Sequence, residues 1–223
     1  MHLLLTSING NPNVGLYGYA NNRYALVGQE VPPSIAAEME KVLKVPVYRV
    51  SIAGTSLIGA FVVGNDRCLL VPNTAFDSEL RALDKLKIAY KVIPSKLTAL
   101  GNNVLCNNTG ALVHTEFSAD VKKIIRQALD VSLHPGTIAG IPTTGSLATG
   151  NSETMVIHRD ASDADRKEVE TLLGISCDTA TINRGSPYLR SGIICNDHGM
   201  VISDQSWGPE VGFVDEVLFL RRG

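Results

Sequence analysis

The sequence predicts an α/β fold, a closed ring of five pseudosymmetric strand-strand-strand-helix repeats. Three observations predict it. An asparagine leading a short apolar run recurs five times along the 223 residues. An amphipathic stretch follows each copy. A short β-branched or alternating stretch then follows each of the first four amphipathic segments, which marks a strand.

The leading segments are Asn21 to Val27, Asn65 to Val71, Asn107 to Val113, Asn151 to Ile157 and Asn196 to Ile202, with asparagines 44, 42, 44 and 45 residues apart. Six residues upstream stands a glycine in four copies (Gly15, Gly59, Gly101, Gly145), and eleven upstream another in four (Gly10, Gly54, Gly140, Gly185). Such glycines mark sharp bends or close backbone approach. The asparagines fit hairpin turns, where Asn tolerates left-handed backbone and bonds its own chain. Downstream, Ser34, Asp77, Ser118, Ser162 and Ser206 are candidate helix starts. In the third repeat Val121, Ile124, Ile125, Ala128 and Leu129 form one apolar stripe at helical spacing. The last helix is expected over Glu210 to Phe219. Strands are then expected around Val45–Tyr48, Ile88–Val92, Val131–Leu133 and Ile175–Cys177.

A unit of this size cannot bury its own apolar face, so the units must stack. Counting back from Asn21 places His2 to Thr6 in the slot of a strand after the C-terminal helix, so the chain can close on itself. We expect one domain over 1–223, with repeats at about 1–44, 45–86, 87–130, 131–174 and 175–223.

Composition excludes several functions. Twenty Lys+Arg against 22 Asp+Glu leave no general positive field for nucleic acid, so any RNA contact is local. No apolar run reaches the ~20 residues that span a bilayer, and the start lacks signal-peptide character, so a cytoplasmic protein is expected. Cys68, Cys106, Cys177 and Cys195 form no CxxC pair; we expect reduced thiols, no metal and no cofactor. P-loop, GxGxxG, HExxH, GxSxG and EF-hand patterns are absent.

Two cations break the internal pattern. Lys96 stands where the other repeats carry the minus-eleven glycine, and Arg184 precedes Gly185 where the other repeats have Asn9, Ala53, Ser95 and Ala139. Both are candidates for a salt-sensitive contact with phosphate or an acidic patch.

The repeats, together with Leu97-Thr98-Ala99-Leu100-Gly101-Asn102, Cys106-Asn107, Ala111-Leu112-Val113-His114, Asn183-Arg184-Gly185-Ser186 and Asn196-Asp197-His198-Gly199, resemble the translation initiation factor 6 family in its archaeal form. The resemblance covers nearly the whole chain. It implies the pentein fold, an α/β propeller. It also implies binding to the large (50S) ribosomal subunit, near the sarcin-ricin loop and an adjacent ribosomal protein with local rRNA contact, which blocks joining of the small subunit. A role in large-subunit biogenesis is a further implication. Trp207, ahead of Gly208-Pro209-Glu210, departs from the family pattern and puts the cap geometry of the last helix in question. The candidate ribosome contacts are Lys96, Asn107, Asn183 and Arg184, with Gly15, Gly185 and Asn65 as residues that shape the loops. The expected partner is the ribosome, with no membrane, and the protein is expected to be a monomer and not an enzyme.

Penteins also include guanidino-modifying enzymes with a cysteine nucleophile, and Cys195, Asp197 and His198 supply the residue types for one. Repeat equivalence argues against this reading. Cys195 and Cys106 occupy the same place, as do His114 and His158. A ring that scaffolds proteins away from the ribosome is the third reading.

Overall fold

A computed structural model of the chain describes residues 2–220. Met1 and residues 221–223, part of the expected 1–223 span, lie outside the described residues. The chain opens with β1 (Leu3–Thr6), then builds four three-stranded sheets in succession. They are β2 (Gly18–Ala20), β3 (Ala25–Gly28) and β4 (Val47–Val50); β5 (Val63–Gly64), β6 (Leu69–Pro72) and β7 (Tyr90–Ile93); β8 (Val104–Cys106), β9 (Gly110–Val113) and β10 (Ser132–Pro135); and β11 (Ala148–Gly150), β12 (Thr154–His158) and β13 (Ser176–Ala180). The fifth blade holds β14 (Ile193–Cys195) and β15 (Met200–Ser203), and β1 completes it. Leu3 pairs with Met200 and Thr6 with Ser203, in parallel, so the first strand closes the ring against the last sheet.

Within each blade the first strand is antiparallel to the central one and the third is parallel to it. A parallel neighbour needs a crossover, and an outer helix supplies it. These helices are Pro33–Leu43, Asp77–Lys85, Ala119–Leu129, Asp163–Leu173 and Gly208–Asp215; the last continues as a wider turn over Glu216–Leu220. The third packs as its stripe predicts: Val121, Ile125 and Leu129 are buried with Ala111 and Val113, and Ile124 and Ala128 flank them. Val63 and Leu70 of the preceding blade join the same cluster, so the helix also covers the seam between blades.

Ser118 and Ser162 cap their helices as expected, their hydroxyls accepting from Val121 N and Asp165 N. The other starts differ. The first helix begins at Pro33, where a missing N–H costs nothing. Asp77 is the first helical residue, preceded by Phe76, and Trp207 rather than Ser206 precedes the last helix. There the Phe76 and Trp207 amides donate to the carboxylates of Glu79 and Glu210 three residues on, the carboxylate half of a capping box.

Several expected strands start one or two residues late. Val45, Ile88 and Ile175 are buried but precede their strands, because each follows a left-handed residue that ends a helix (Lys44, Lys87, Gly174) and tucks beneath it. The segments before the first strands, read as loops, hold helical turns at Val14–Leu16, Ile58–Phe61, Leu100–Asn103, Thr144–Ser146 and Leu189–Gly192. In these turns a Cβ on Gly15, Gly59, Gly101 or Gly145 would strike a backbone carbonyl of an adjacent blade's turn, which fixes glycine there.

Candidate functional site

The first strands line a central channel with two different mouths. At one mouth sit the five asparagine turns. Each asparagine Oδ1 accepts the amides two and three residues on, at 2.9 and 3.0 Å for Asn107 and 3.0 and 3.2 Å for Asn65. Each Nδ2 then reaches across a seam. Asn65 donates to Leu129 O (2.9 Å) and Asn107 O, Asn107 to Leu173 O (2.7 Å), Asn151 to Leu218 O (2.6 Å) and Asn196 to Leu43 O (2.8 Å). Apart from Asn107 O in the neighbouring turn, these acceptors are carbonyls near helix C-termini, which lack partners within their own helix. The repeated asparagine is thus both a turn residue and a clasp between blades.

A second ring lies just beyond it. Asn22 N donates to Asp66 Oδ1 (2.9 Å), Asp66 N to Asn108 Oδ1 (3.0 Å), Asp197 N to Asn22 Oδ1 (3.0 Å) and Ser152 N to Asp197 Oδ1 (2.7 Å). These bonds hold the turn tips rigidly. Because the helices end here, exposed Lys44 and Lys87 also stand at this end. With Arg23 and Arg126 they place exposed cations along the first three blades.

The opposite end carries the glycine loops. Asn9-Gly10, Ala53-Gly54 and Ala139-Gly140 are pairs of left-handed residues, each closed by a bridge between its flanking residues. In the fifth blade three left-handed residues, Asn183, Arg184 and Gly185, stand between Ile182 and Ser186, one more than in the other loops. A helix-borne carboxylate holds each of two loops. Glu79, 6% exposed, accepts Ala53 N (2.8 Å), Gly54 N (3.0 Å) and Phe76 N (2.8 Å). Glu210 accepts Arg184 N (3.0 Å), Gly185 N (2.7 Å), Trp207 N (2.8 Å) and the Thr181 hydroxyl (2.8 Å). Burial alone would raise the Glu210 pKa, but these hydrogen bonds outweigh it and hold the carboxyl below its ordinary range.

The structure therefore separates the sequence-predicted residues. Asn65 and Asn107 stand at the asparagine mouth with their side-chain amides engaged in the ring itself. Gly15, Lys96, Asn183, Arg184 and Gly185 stand at the other end. Lys96 is exposed, but its loop has no left-handed pair: Pro94 precedes it and the Ser95 hydroxyl accepts Leu97 N. The missing glycine thus reflects a different turn. Arg184 is exposed beside Gln205, and acids including Glu30, Asp120, Asp163 and Asp204 share that end.

Cys195, Asp197 and His198 are held by separate duties. The Cys195 thiol donates to Gly150 O (3.0 Å), as Cys106 does to Gly64 O (3.3 Å), so both are seam residues. Asp197 belongs to the turn ring, and His198 is exposed. His114 and His158 are both buried, each accepting at Nδ1 an amide two residues on (3.1 Å). Sequence reasoning missed Arg190. It replaces the minus-six glycine in the fifth repeat, and that break in the pattern was the available signal. Its guanidinium reaches across the channel end to Gly59 O and Val62 O, both at 3.3 Å. Among the described residues no helix is long and apolar enough to cross a membrane.

The model of the eIF-6 family matches residues 3–217. Translation initiation factor 6 of Saccharolobus islandicus (strain L.S.2.15 / Lassen #1) is 34% identical over 98% of this chain and 99% of its own length. That of Staphylothermus marinus is 36% identical over 100% and 97%, and that of Pyrococcus abyssi 32% over 99% and 100%. Among solved structures, the N-terminal domain of an ArgZ variant, covalently bound to a reaction intermediate, superposes with a TM-score of 0.51 over 75% of this chain and 67% of that one, at 11% identity. At that identity the likeness shows the pentein fold alone.

Proposed function

The chain belongs to the eIF-6 family, a family of translation initiation factors, and on that premise we propose that it binds the large ribosomal subunit and blocks joining of the small one. The match along residues 3–217 carries the reading. The inhibition is steric: a rigid ring on the joining face occupies volume the small subunit needs, with no chemistry and no cofactor. In this reading the protein is a cytoplasmic monomer and not an enzyme.

Docking runs through the asparagine mouth. Its turn tips are fixed by side-chain clasps, so little order is lost on binding. Arg23, Lys44, Lys87 and Arg126 offer phosphate contacts among acids such as Asp66, Asp130 and Asp197, while Asn65 and Asn107 set the shape of the surface. The surface met is a ribosomal protein near the sarcin-ricin loop with local rRNA. Lys96, Asn183, Arg184, Gly185 and Gly15 then face away from the subunit. The test is sedimentation with separated archaeal 50S and 30S subunits. Co-migration with 50S alone and loss of 70S particles are expected; co-migration with neither subunit overturns the proposal.

A further inference from the structure

The channel holds a charge that the ring does not neutralise. Four of the five inner turns carry glycine at their second position, and the fifth carries Arg190, which closes that end of the channel. Between this plug and the asparagine mouth lies a space of about 70 Å³ lined by Tyr19, Cys106, Thr149, Met155, Ile194 and Cys195. No aspartate or glutamate is among the described residues lining it. Asp66 and Asp197 line the far mouth, where the turn amides already use their oxygens.

The guanidinium has five N–H groups and stays protonated in proteins. Nε and Nη2 donate to Gly59 O and Val62 O, which are neutral acceptors, and three N–H groups remain. Tyr19 also borders the space. Its ring packs between the first two blades and its hydroxyl oxygen accepts Asn21 Nδ2 (3.4 Å), so it lies toward the asparagine turns. The Cys106 and Cys195 thiols spend their protons on glycine carbonyls. A half-buried guanidinium with N–H groups left over, beside a space lined by no carboxylate, favours a negative ligand there.

We infer that the channel beside Arg190 binds a small monovalent inorganic anion of halide size, held by the free N–H groups of the guanidinium. The site does not depend on ribosome binding. The volume of about 70 Å³ excludes a larger organic anion.

Bromide is the probe. Crystals of the full chain soaked in sodium bromide and measured at the bromine edge should show an anomalous peak in the channel within hydrogen-bonding reach of Arg190. Bromide peaks on the outer surface alone, or none at all, overturn the inference. In solution, exchanging gluconate for bromide at constant ionic strength should raise Tm by about 3–6 °C once bromide reaches about ten times its dissociation constant. Arg190→Met should abolish that shift, and an undiminished shift in the variant overturns the assignment. If Arg190→Met does not fold, the anomalous map of the unaltered protein decides.

Discussion

Replacing Glu79 by glutamine tests how the outer helices hold the glycine loops. The wild-type carboxylate accepts three backbone amides, from Ala53, Gly54 and Phe76, at 2.8 to 3.0 Å in a buried position. A hydrogen bond to a charged group contributes about 1.5–3 kcal/mol. The amide keeps one acceptor oxygen and turns an NH₂ toward at least one N–H donor. It also removes a negative charge from a helix N-terminus, worth about 0.3–1 kcal/mol. Retained bonding and entering water offset part of the loss, which leaves about 3 kcal/mol. For a chain of this length that lowers Tm by about 6–12 °C. Calorimetry measures it, with Asp77→Asn as the control: Asp77 is an exposed acid in the same first turn and should lose only the helix-terminus charge, about 0.3–1 kcal/mol. A loss no larger than that of Asp77→Asn would refute the clamp.

Asn65→Ala removes two cross-seam bonds and two turn bonds from a buried side chain, so urea denaturation should show a loss of about 2–4 kcal/mol. Glu210 titrates below its ordinary range in the folded chain, so it adds stability above the unfolded-state value of about 4.3 that is lost as pH falls through the folded one. Acid unfolding of Glu210→Gln should accordingly be less steep in that window, and identical curves would remove Glu210 from the acid response. Burial pushes the Cys106 thiol up to about 12 and the Cys177 thiol to about 12. Ellman's reagent at pH 8 should therefore leave both unlabelled until urea unfolds the chain, because the thiolate is the reacting form; rapid labelling in the folded state would contradict that burial.

The ring was legible because each repeat spends the same residues on the same task. Asn21, Asn65, Asn107, Asn151 and Asn196 mark five turns, and the minus-eleven glycines mark left-handed loops at φ of 71° to 99°. The pairing of β1 with β15 followed from counting back from Asn21. The ends of the molecule were harder to assign. Asn107 precedes a central strand and Lys96 follows a third strand of the blade before it. Whether they share a face depends on whether third strands run parallel to central ones, and nothing in a short β-branched run reports direction. Lys96 also looked like a substitution within a turn, when Pro94 and Ser95 build a different turn. The clasping role of the asparagines needed the helix carbonyls of the neighbouring blade, which no local pattern encodes. Arg190 broke a glycine pattern as plainly as Lys96 did, but its meaning required the channel.

The account's central claim is that this ring occupies the large subunit through its asparagine mouth and so keeps the small subunit away. Light scattering of 50S and 30S subunits mixed with increasing protein measures joining directly, with Lys44→Glu/Lys87→Glu and Lys96→Glu/Arg184→Glu as paired variants. The account predicts that the unaltered chain and the Lys96/Arg184 variant suppress 70S formation at the same concentrations. The Lys44/Lys87 variant should need at least tenfold more, about 1.4 kcal/mol of lost binding. Undiminished joining at saturating unaltered protein, or weakening confined to the Lys96/Arg184 variant, would contradict it.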